Sequence, residues 1–468
     1  MVKVGRLVVI GGGWAGLSAA VAAQRQGWQV TLLEASPHWG GRARRLELRG
    51  ADGRPRRLDN GQHLLIGAYT ATLGLLGELG VALPQQLQRV PLTLAYPDGG
   101  GLRLPRTLRW WPPQAAALAL AAAVARVRGW SWSERLALLR WAAHWHQRGW
   151  TCAPELRAPE LAAPLPPRVV AELLQPLAVA ALNTPWPEAS AAVLLRVLHD
   201  ALHGPAHPPY AASDLLLPRE DLGTLLPDAA TAWLARQGAD LRRGTRVRAL
   251  QRRGGQWTLM LADGHCQPAD AVVLATPAWE AARLLHQAAV DPVHAAQPVQ
   301  RWLAWAEAAA ALRHVAIATV YLEAPAGWRW RWPQPLLALR SDPLQAPAQF
   351  AFCRCRGDDQ PPVLALVVSA PAPEWAHDRA GLAVAVQRQV QDSLTAGRAA
   401  RVLATVVERR ATFACTPGLQ RPETVVAAGL VAAGDYVHGP YPATLEGAVR
   451  SGLAAVEALA AATTAPQA

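Results

Sequence analysis

Leu7-Val8-Val9-Ile10-Gly11-Gly12-Gly13-Trp14-Ala15-Gly16 combines a short apolar run with a glycine-rich turn and the start of an alanine-rich segment. This order predicts a buried strand, a tight turn and a helix, as in a dinucleotide-binding unit. Gly11 would permit the turn, Gly13 would let the backbone approach a pyrophosphate, and Gly16 would let the helix pack close to the strand. The free N–H groups at the helix N-terminus would then bind the phosphates.

Two further features near the N-terminus support a nucleotide site. Glu34 ends a second predicted strand over residues 28–33, where its carboxylate can bind ribose hydroxyls and would repel the 2′-phosphate of NADP. A second glycine pair, Gly40-Gly41, is followed by Arg42, which suits a loop that crosses a bound pyrophosphate. A surface salt bridge is the alternative role for Arg42.

Length and composition limit the class of protein. A chain of 468 residues with 51% hydrophobic residues can form two or three domains with large cores. The five cysteines are an odd number without a CxxC pair, which favours reduced thiols and a cytoplasmic protein and argues against a zinc site. We expect no signal peptide before the first strand and no apolar run long enough to span a bilayer.

The net charge of +12 comes from arginines dispersed along the chain. Dispersed charge without a base-stacking module argues against nucleic acid as a partner. An anionic membrane surface and simple surface solvation are equally good explanations. Residues 108–150 are rich in Trp and Arg around a short apolar core, which suits helices lying on a lipid surface; an ordinary buried helical subdomain is the alternative.

The order of segments predicts a discontinuous α/β protein. A Rossmann-like nucleotide-binding domain, with a parallel sheet in a three-layer arrangement, is expected from residues 1–80, 221–289 and 410–468. Residues 81–220 and 290–409 would form an inserted α+β domain, partly helical, that binds the substrate. Near the C-terminus we expect one strand over residues 425–433 and a last helix capped by Thr444, with Glu446 complementing its dipole.

The same motifs resemble the FAD-dependent amine oxidase and carotenoid desaturase superfamily over nearly the whole chain. Those that carry the resemblance are Gly11–Gly16, Glu34, Gly40–Arg42, the strand at Val247, Ala275–Pro277, Gly434-Asp435 and Leu445–Ala448. The segments Asp59–His63 and Leu182–Pro185 look most like its squalene-associated branch, the hydroxysqualene dehydroxylases. Residues 435–442 depart from the expected Asp-Trp-Thr, so no family role is carried to Tyr436 or His438.

The resemblance implies a flavoenzyme in squalene and hopanoid biosynthesis that acts on an isoprenoid lipid. The net charge and the Trp/Arg-rich segment predict a cytoplasmic protein that lies peripherally on the inner face of the cytoplasmic membrane. The residues implied in binding FAD are Gly11, Gly13, Trp14, Ala15, Gly16, Glu34, Ala35, Gly41, Arg42, Asn60, Gly61, Gln62, His63, Val247, Thr276, Gly434, Asp435, Thr444 and Leu445. His63, or Tyr441 through water, is the candidate acid that protonates the leaving hydroxyl, although His63 could instead be a structural hydrogen-bonding residue.

Other interpretations of the same fold remain open. A carotenoid desaturase would run the flavin in the opposite direction. A flavin amine oxidase would need an amine-binding cage, and a prenyl-lipid escort would need no catalysis. The sequence does not indicate which donor reduces the flavin.

Overall fold

The fold is described from a computed structural model over residues 5–50, 52–104, 116–253, 255–289, 299–325, 327–354, 362–394 and 400–464. The strands are β1 Arg6–Ile10, β2 Gln29–Leu33, β3 Arg45–Arg49, β4 Pro55–Asp59, β5 Leu65–Ile66, β6 Leu87–Val90, β7 Thr93–Ala95, β8 Gly101–Arg103, β9 Leu215–Pro218, β10 Asp240–Arg242, β11 Val247–Arg253, β12 Gln256–Leu261, β13 Cys266–Ala269, β14 Ala271–Leu274, β15 His314–Glu323, β16 Leu336–Ala338, β17 Phe350–Arg354, β18 Val363–Ser369, β19 Arg401–Phe413, β20 Val425–Ala427 and β21 Leu430–Ala432.

The helices alternate with these strands at both ends of the chain and cluster in its middle. They are α1 Trp14–Arg25, α2 Thr70–Glu78, α3 Leu83–Gln86, α4 Ala116–Ala125, α5 Trp132–Gln147, α6 Ala158–Ala162, α7 Pro167–Val169, α8 Gln175–Leu182, α9 Ala191–His203, α10 Leu222–Arg236, α11 Ala278–Ala289, α12 Val299–Ala310, α13 Arg379–Leu394 and α14 Leu445–Thr464. Among the described helices, none is both long and apolar enough to cross a membrane.

A six-stranded sheet in the order β10-β2-β1-β14-β21-β20 forms the nucleotide-binding part of the fold. Its first five strands are parallel, and β20 is antiparallel at the edge. The chain runs outward from β1 to β2 on one side and returns to β14 on the other. The carboxyl ends of β1 and β14 therefore meet where the strand order reverses, which is where such sheets bind ligands.

This architecture confirms the predicted α/β class with a parallel sheet, but three details differ. The short strands that the sequence predicts over 240–250, 257–261 and 271–277 are expected to continue the main sheet, whereas only β10 and β14 join it and β11–β13 form a separate antiparallel sheet. The single strand predicted over 425–433 is a hairpin, because Gly429 adopts a left-handed φ of 70° and reverses the chain. The sequence predicts a helix over Ala229–Gln237, whereas α10 begins at Leu222, since Asp221 caps it through the Thr224 N–H.

A second, antiparallel sheet has the order β16-β17-β18-β15-β19. Helix α13 covers the face that carries Ala318 and Val320, in one apolar cluster. Because side chains alternate along a strand, Thr319 and Tyr321 lie on the opposite face. The predicted division into domains stays a prediction, but its boundary at 409/410 falls inside the continuous strand β19.

The Trp/Arg-rich segment is only partly a surface feature. Residues 105–115, with Trp110 and Trp111, lie outside the described range. Beyond them, Trp130, Trp141 and Trp150 are buried in the core, as the alternative of a buried helical subdomain predicts. Trp132 is 69% exposed, so this segment combines core residues with an exposed aromatic position.

Candidate active site

The turn after β1 has the geometry that its glycines predict. Gly11 has a φ of 111° and donates its N–H to the Leu33 carbonyl at 2.7 Å. A Cβ on Gly11 would lie 2.4 Å from the Ala275 oxygen, and a Cβ on Gly16 would lie 1.9 Å from the Gly11 oxygen. Both positions therefore need glycine because backbone segments meet there.

Gly13 differs from its neighbours because the space beside it is open. It precedes α1, and the nearest atom to a Cβ placed on it is the Gly41 Cα at 3.9 Å. The second glycine turn lies directly against the first, since the Gly40 N–H donates to the Gly12 carbonyl at 2.8 Å. The two turns form a backbone-lined cradle at a helix N-terminus, which fits a pyrophosphate.

Glu34 lies at the end of β2, beside this cradle. Its Oε2 accepts the Gly12 N–H at 2.6 Å, which holds the carboxylate at the carboxyl edge of the sheet next to the exposed Ala35. The Thr245 N–H donates to the Glu34 carbonyl at 2.9 Å, two residues before Val247 begins β11. The fold thus brings Glu34 close to the segment that contains Val247. Both are expected to contact the same end of the nucleotide.

Trp14, Ala15 and Thr276 line the same region in different ways. Trp14 is buried and donates its indole N–H to the Ala43 carbonyl at 3.0 Å, so with the buried Ala15 it braces the turn. Thr276 follows β14 and is 9% exposed, yet its hydroxyl has no hydrogen-bond partner among the described residues. An unpartnered buried hydroxyl costs about 1–3 kcal/mol, so this one fits a polar ligand in the crevice.

Arg42 forms an ion pair with Asp435, the residue that follows Gly434 beyond β21. Arg42 Nη2 lies 2.5 Å from Asp435 Oδ1, and Arg42 Nη1 donates to the Ala411 carbonyl at 2.5 Å. Burial lowers the pKa of Arg42, but the nearby Asp435 carboxylate more than offsets this and the net direction is upward. The family resemblance predicts that Asp435 accepts a hydrogen bond from a ribityl hydroxyl of FAD. The guanidinium predicted for the phosphates is therefore engaged with the carboxylate predicted for the ribityl chain.

The N-terminus of α14 is capped as expected. Helix α14 begins at Leu445, and Thr444 Oγ1 accepts the Gly447 N–H in its first turn at 2.9 Å. Glu446, which lies in the first turn of α14 as predicted, has a second role. Its fully buried carboxylate accepts the N–H and the hydroxyl of Thr72 at 2.9 and 2.7 Å, so it caps α2 as well as complementing its own helix.

His63 is held by its own loop. Its Nδ1 lies 2.6 Å from the Gly61 carbonyl, and because a carbonyl only accepts, Nδ1 carries the proton. Burial and the positive charge of Arg42 lower the pKa of His63. The imidazole is therefore neutral near pH 7 with a lone pair on Nε2, an arrangement that favours a hydrogen-bond acceptor over the predicted acid.

The other residues of the His63 loop, residues 60–62, are held between the turn that contains Arg42 and strand β15. Asn60 Nδ2 lies 3.5 Å from the Arg42 carbonyl, and Gln62 Nε2 donates to the His63 carbonyl at 2.8 Å. The Gln62 N–H donates to Thr319 Oγ1 at 3.4 Å. The predicted residues Asn60, Gly61, Gln62 and His63 are thus brought to the face of the second sheet that carries Thr319.

Tyr441 lies between α9 and α14. Its ring packs edge-on against Tyr69, with centroids 6.3 Å apart, and the guanidinium carbons of Arg196 and Arg450 lie 5.6 and 5.0 Å from its centroid. Burial and the negative charge of Asp200 raise the pKa of Tyr441. Its phenol therefore keeps its proton at neutral pH and can donate a hydrogen bond.

Sequence reasoning did not assign a function to Asn183, which joins several elements. It ends α8 with a left-handed φ of 44°, and its Nδ2 donates to Thr412 Oγ1 at 2.8 Å. Its Oδ1 accepts the Ala370 N–H at 2.9 Å. The chain has only two asparagines, Asn60 and Asn183, and this rarity and the family resemblance of residues 182–185 were the available signals.

Thr319 and Tyr321 of β15 were also missed. Tyr321 donates its hydroxyl to the Asp59 carbonyl at 2.7 Å, and Asp59 Oδ1 accepts the Leu222 N–H at 2.7 Å. The segment before His63 is thus anchored to β15 and to the N-terminus of α10. No local motif marks these two β15 residues, because their partners are more than 250 residues away.

Residues 14–460 match the family described as flavin containing amine oxidoreductase. The protein belongs to this family. This flavin-containing oxidoreductase therefore uses FAD, and the glycine cradle, Thr276 and Asp435 are the residues of the crevice that fit the cofactor.

Two relatives and one solved structure are similar to this oxidoreductase over almost its whole length. It is 30% identical to a hydroxysqualene dehydroxylase of Rhodopseudomonas palustris, over 97% of this chain and 98% of the relative. It is 27% identical to a hydroxysqualene dehydroxylase of Sinorhizobium fredii, over 95% of each chain. A solved oxidoreductase from Methanosarcina mazei has a TM-score of 0.69 at 16% identity, over 97% of this chain and 100% of that one, and shares its fold.

Proposed function

We propose that this oxidoreductase removes the hydroxyl group of hydroxysqualene and so makes squalene for hopanoid or other triterpenoid biosynthesis. The observation that carries the proposal is the nearly full-length similarity to two proteins named hydroxysqualene dehydroxylase. The segments 59–63 and 182–185, which resemble this branch, are both hydrogen-bonded to β15.

Replacing a hydroxyl by hydrogen requires a hydride at carbon and a proton at oxygen. Reduced FAD, when bound, supplies the hydride. The protein must hold the hydroxyl, deliver the proton and exclude water, because water is a far better leaving group than hydroxide and an allylic cation reacts with bulk solvent. These three tasks define what the residues near the cofactor should do.

The state of His63 and Tyr441 suggests how these tasks divide. Neutral His63 offers Nε2 as an acceptor for the substrate hydroxyl, since its Nδ1 proton is engaged by Gly61. Tyr441 retains its phenolic proton, and because the single proton of His63 is engaged by Gly61, we assign proton delivery to Tyr441 through a water molecule. His63 is then a residue that orients the hydroxyl, and Tyr441 is the candidate acid.

An apolar wall extends from the His63 loop across the second sheet. Thr319 pairs with Val367, which pairs with Phe350, so the three side chains form a row on one face. Tyr321 and Phe352 lie in the adjacent row. Strands are about 4.8 Å apart, so each row extends roughly 10 Å from the loop. Such a surface fits a long isoprenoid, and its aromatic rings can stabilise a transient cation.

We also propose that α4 and α5 bring the enzyme to an anionic membrane, on the cytoplasmic face. Trp132 is stacked with the Arg135 guanidinium at 4.7 Å from its centroid, and Leu118 is a second exposed apolar residue. Arg126 and Arg128 are exposed nearby in sequence. Aromatic and basic residues together favour the lipid headgroup region, and docking there would spare the substrate a passage through water.

Liposome sedimentation tests the docking proposal. The triple variant Trp132→Ser, Arg126→Gln, Arg128→Gln should bind anionic vesicles less well, most clearly at low salt. The charge-matched control Arg236→Gln, Arg248→Gln removes two exposed arginines elsewhere and should sediment like the unaltered protein. Equal loss in both variants would show that only net charge matters and would remove α4–α5 from the proposal.

Anaerobic turnover tests the reaction itself. Enzyme reduced with dithionite and then mixed with hydroxysqualene should regain the absorbance of oxidised flavin as squalene forms. In a single turnover, Tyr441→Phe should slow flavin reoxidation more than His63→Gln. Phytoene given to oxidised enzyme should leave the flavin oxidised. Bleaching by phytoene, with a new conjugated product and no reaction of hydroxysqualene, would establish the desaturase instead.

A further inference from the structure

A cavity of about 560 Å³ lies at the three-stranded sheet β5-β9-β6, which is separate from the six-stranded nucleotide-binding sheet. Edge strand β6 contributes Leu87, Gln88 and Arg89, and the segment before β9 contributes Tyr210. Arg219, just after β9, completes the polar lining. Neither the cofactor site nor the apolar wall uses any of these residues, so the cavity calls for its own explanation.

Tyr210 provides the main clue. The residue is 7% exposed, and its hydroxyl has no hydrogen-bond partner among the described residues. Burial raises the pKa of Tyr210, while the positive charge of the nearby Arg89 acts in the opposite direction. The phenol is therefore a neutral donor beside a guanidinium, and leaving such a donor unpaired costs about 1–3 kcal/mol.

The cations of the cavity are only partly neutralised. Arg89 donates from Nε and Nη2 to the buried Asp214 at 2.5 and 3.0 Å, which leaves its Nη1 without a partner in the described part of the chain. Asp214 Oδ2 also accepts the Ala211 N–H at 2.7 Å, so this carboxylate is well satisfied. The exposed Arg219 side chain makes no ion pair with any described residue.

We infer that this cavity is a binding site for an oxyanion of the phosphate class. Tyr210, Arg89 and Arg219 all line the cavity and carry hydrogen-bond donors, and a phosphate accepts hydrogen bonds from several donors at once. Leu87 and Pro209 add an apolar side to the lining, so the site takes a phosphate attached to an organic group. The source is either a soluble phosphate ester or a phospholipid headgroup.

Two conservative variants test the site in the FAD-loaded enzyme, where the cofactor already fills the pyrophosphate cradle. Inorganic phosphate is titrated by calorimetry against the unaltered protein, Tyr210→Phe and Arg219→Gln. Each variant should raise Kd about tenfold, the loss expected for one charge-assisted hydrogen bond. The control Arg236→Gln, which removes an exposed arginine of α10, should change Kd less than about twofold because solvent screens it.

Thermal unfolding distinguishes a loss of phosphate binding from a loss of folding in these variants. Because the Tyr210 hydroxyl has no protein partner in the described residues, Tyr210→Phe should leave Tm unchanged or raise it. Sedimentation with vesicles of phosphatidic acid in phosphatidylcholine distinguishes the two sources of the phosphate. If Tyr210→Phe weakens vesicle binding, the ligand is a lipid headgroup. If Tyr210→Phe weakens only the binding of inorganic phosphate, the ligand is a soluble ester. Phosphate affinity that is equal in Tyr210→Phe, Arg219→Gln and Arg236→Gln would overturn the inference.

Discussion

Replacing Gly13 by valine should abolish flavin binding while preserving the fold. Gly13 has φ −77° and ψ −177°, an extended conformation that any residue adopts, and a Cβ there meets only the Gly41 Cα at 3.9 Å. Valine is a poor residue before a helix, so we expect a destabilisation of about 1 kcal/mol. The side chain would fill the space that the pyrophosphate needs beside the N–H groups of α1.

The loss in FAD affinity follows from those N–H groups. Displacing the pyrophosphate removes one or two charge-assisted hydrogen bonds of about 1.5–3 kcal/mol each, which corresponds to a Kd raised roughly a hundredfold or more. The assay is the ratio of flavin to protein absorbance after purification, with FAD titrated into apoprotein. Thermal unfolding is followed in parallel.

Two other glycines provide controls. Gly74 in α2 has open space where a Cβ would lie, with no neighbouring atom within 4 Å, so Gly74→Val should retain FAD. Gly16→Ala places a Cβ 1.9 Å from the Gly11 oxygen and should impair folding itself. Full flavin occupancy in Gly13→Val, with normal stability, would refute the assignment of the cradle.

Three further predictions concern residues around the cofactor. Asp435→Ala should lower flavin occupancy, measured by absorbance, because it removes the expected ribityl acceptor and leaves Arg42 without its partner. Asn183→Ala should lower the free energy of unfolding, measured in urea, by about 3 kcal/mol, because buried partners lose hydrogen bonds and alanine is strained at positive φ. Asn183→Gly should recover only the share of this loss that comes from backbone strain. Because the pKa of His63 is lowered in the folded protein, the unfolded state binds a proton at this residue at higher pH than the folded state does. The free energy of unfolding should therefore fall as the pH drops from about 6.5 through the folded pKa. Measured as Tm against pH, this slope should be flatter in His63→Gln.

The sequence determined the nucleotide-binding half of the fold because the information there is local. Gly11, Gly13 and Gly16 occupy fixed positions between a strand and a helix, and their spacing alone specifies a turn and a phosphate site. The capping role of Thr444 is local for the same reason, since its partner Gly447 is three residues away. Motif order over the whole chain then indicated the flavin family that residues 14–460 match.

Tertiary structure decided how the polar groups pair. Arg42 and Asp435 are 393 positions apart, and only folding shows that the two residues assigned to different parts of FAD bind each other. Glu446 caps a helix that begins more than 370 residues earlier. Such pairs follow from where the buried strands bring their ends, which no local pattern encodes.

The same limit applies to burial and protonation. Trp130 and Trp132 are alike in the sequence, yet Trp130 is in the core, where its indole N–H donates to Glu172 Oε2 at 2.8 Å, whereas Trp132 begins α5 and is exposed. His63 looked like an acid as a lone histidine near a flavin, whereas its bond to Gly61 and its burial beside Arg42 make it neutral. The chain thus encodes its cofactor site in short motifs, while the state of each titratable group depends on neighbours that only the folded protein provides.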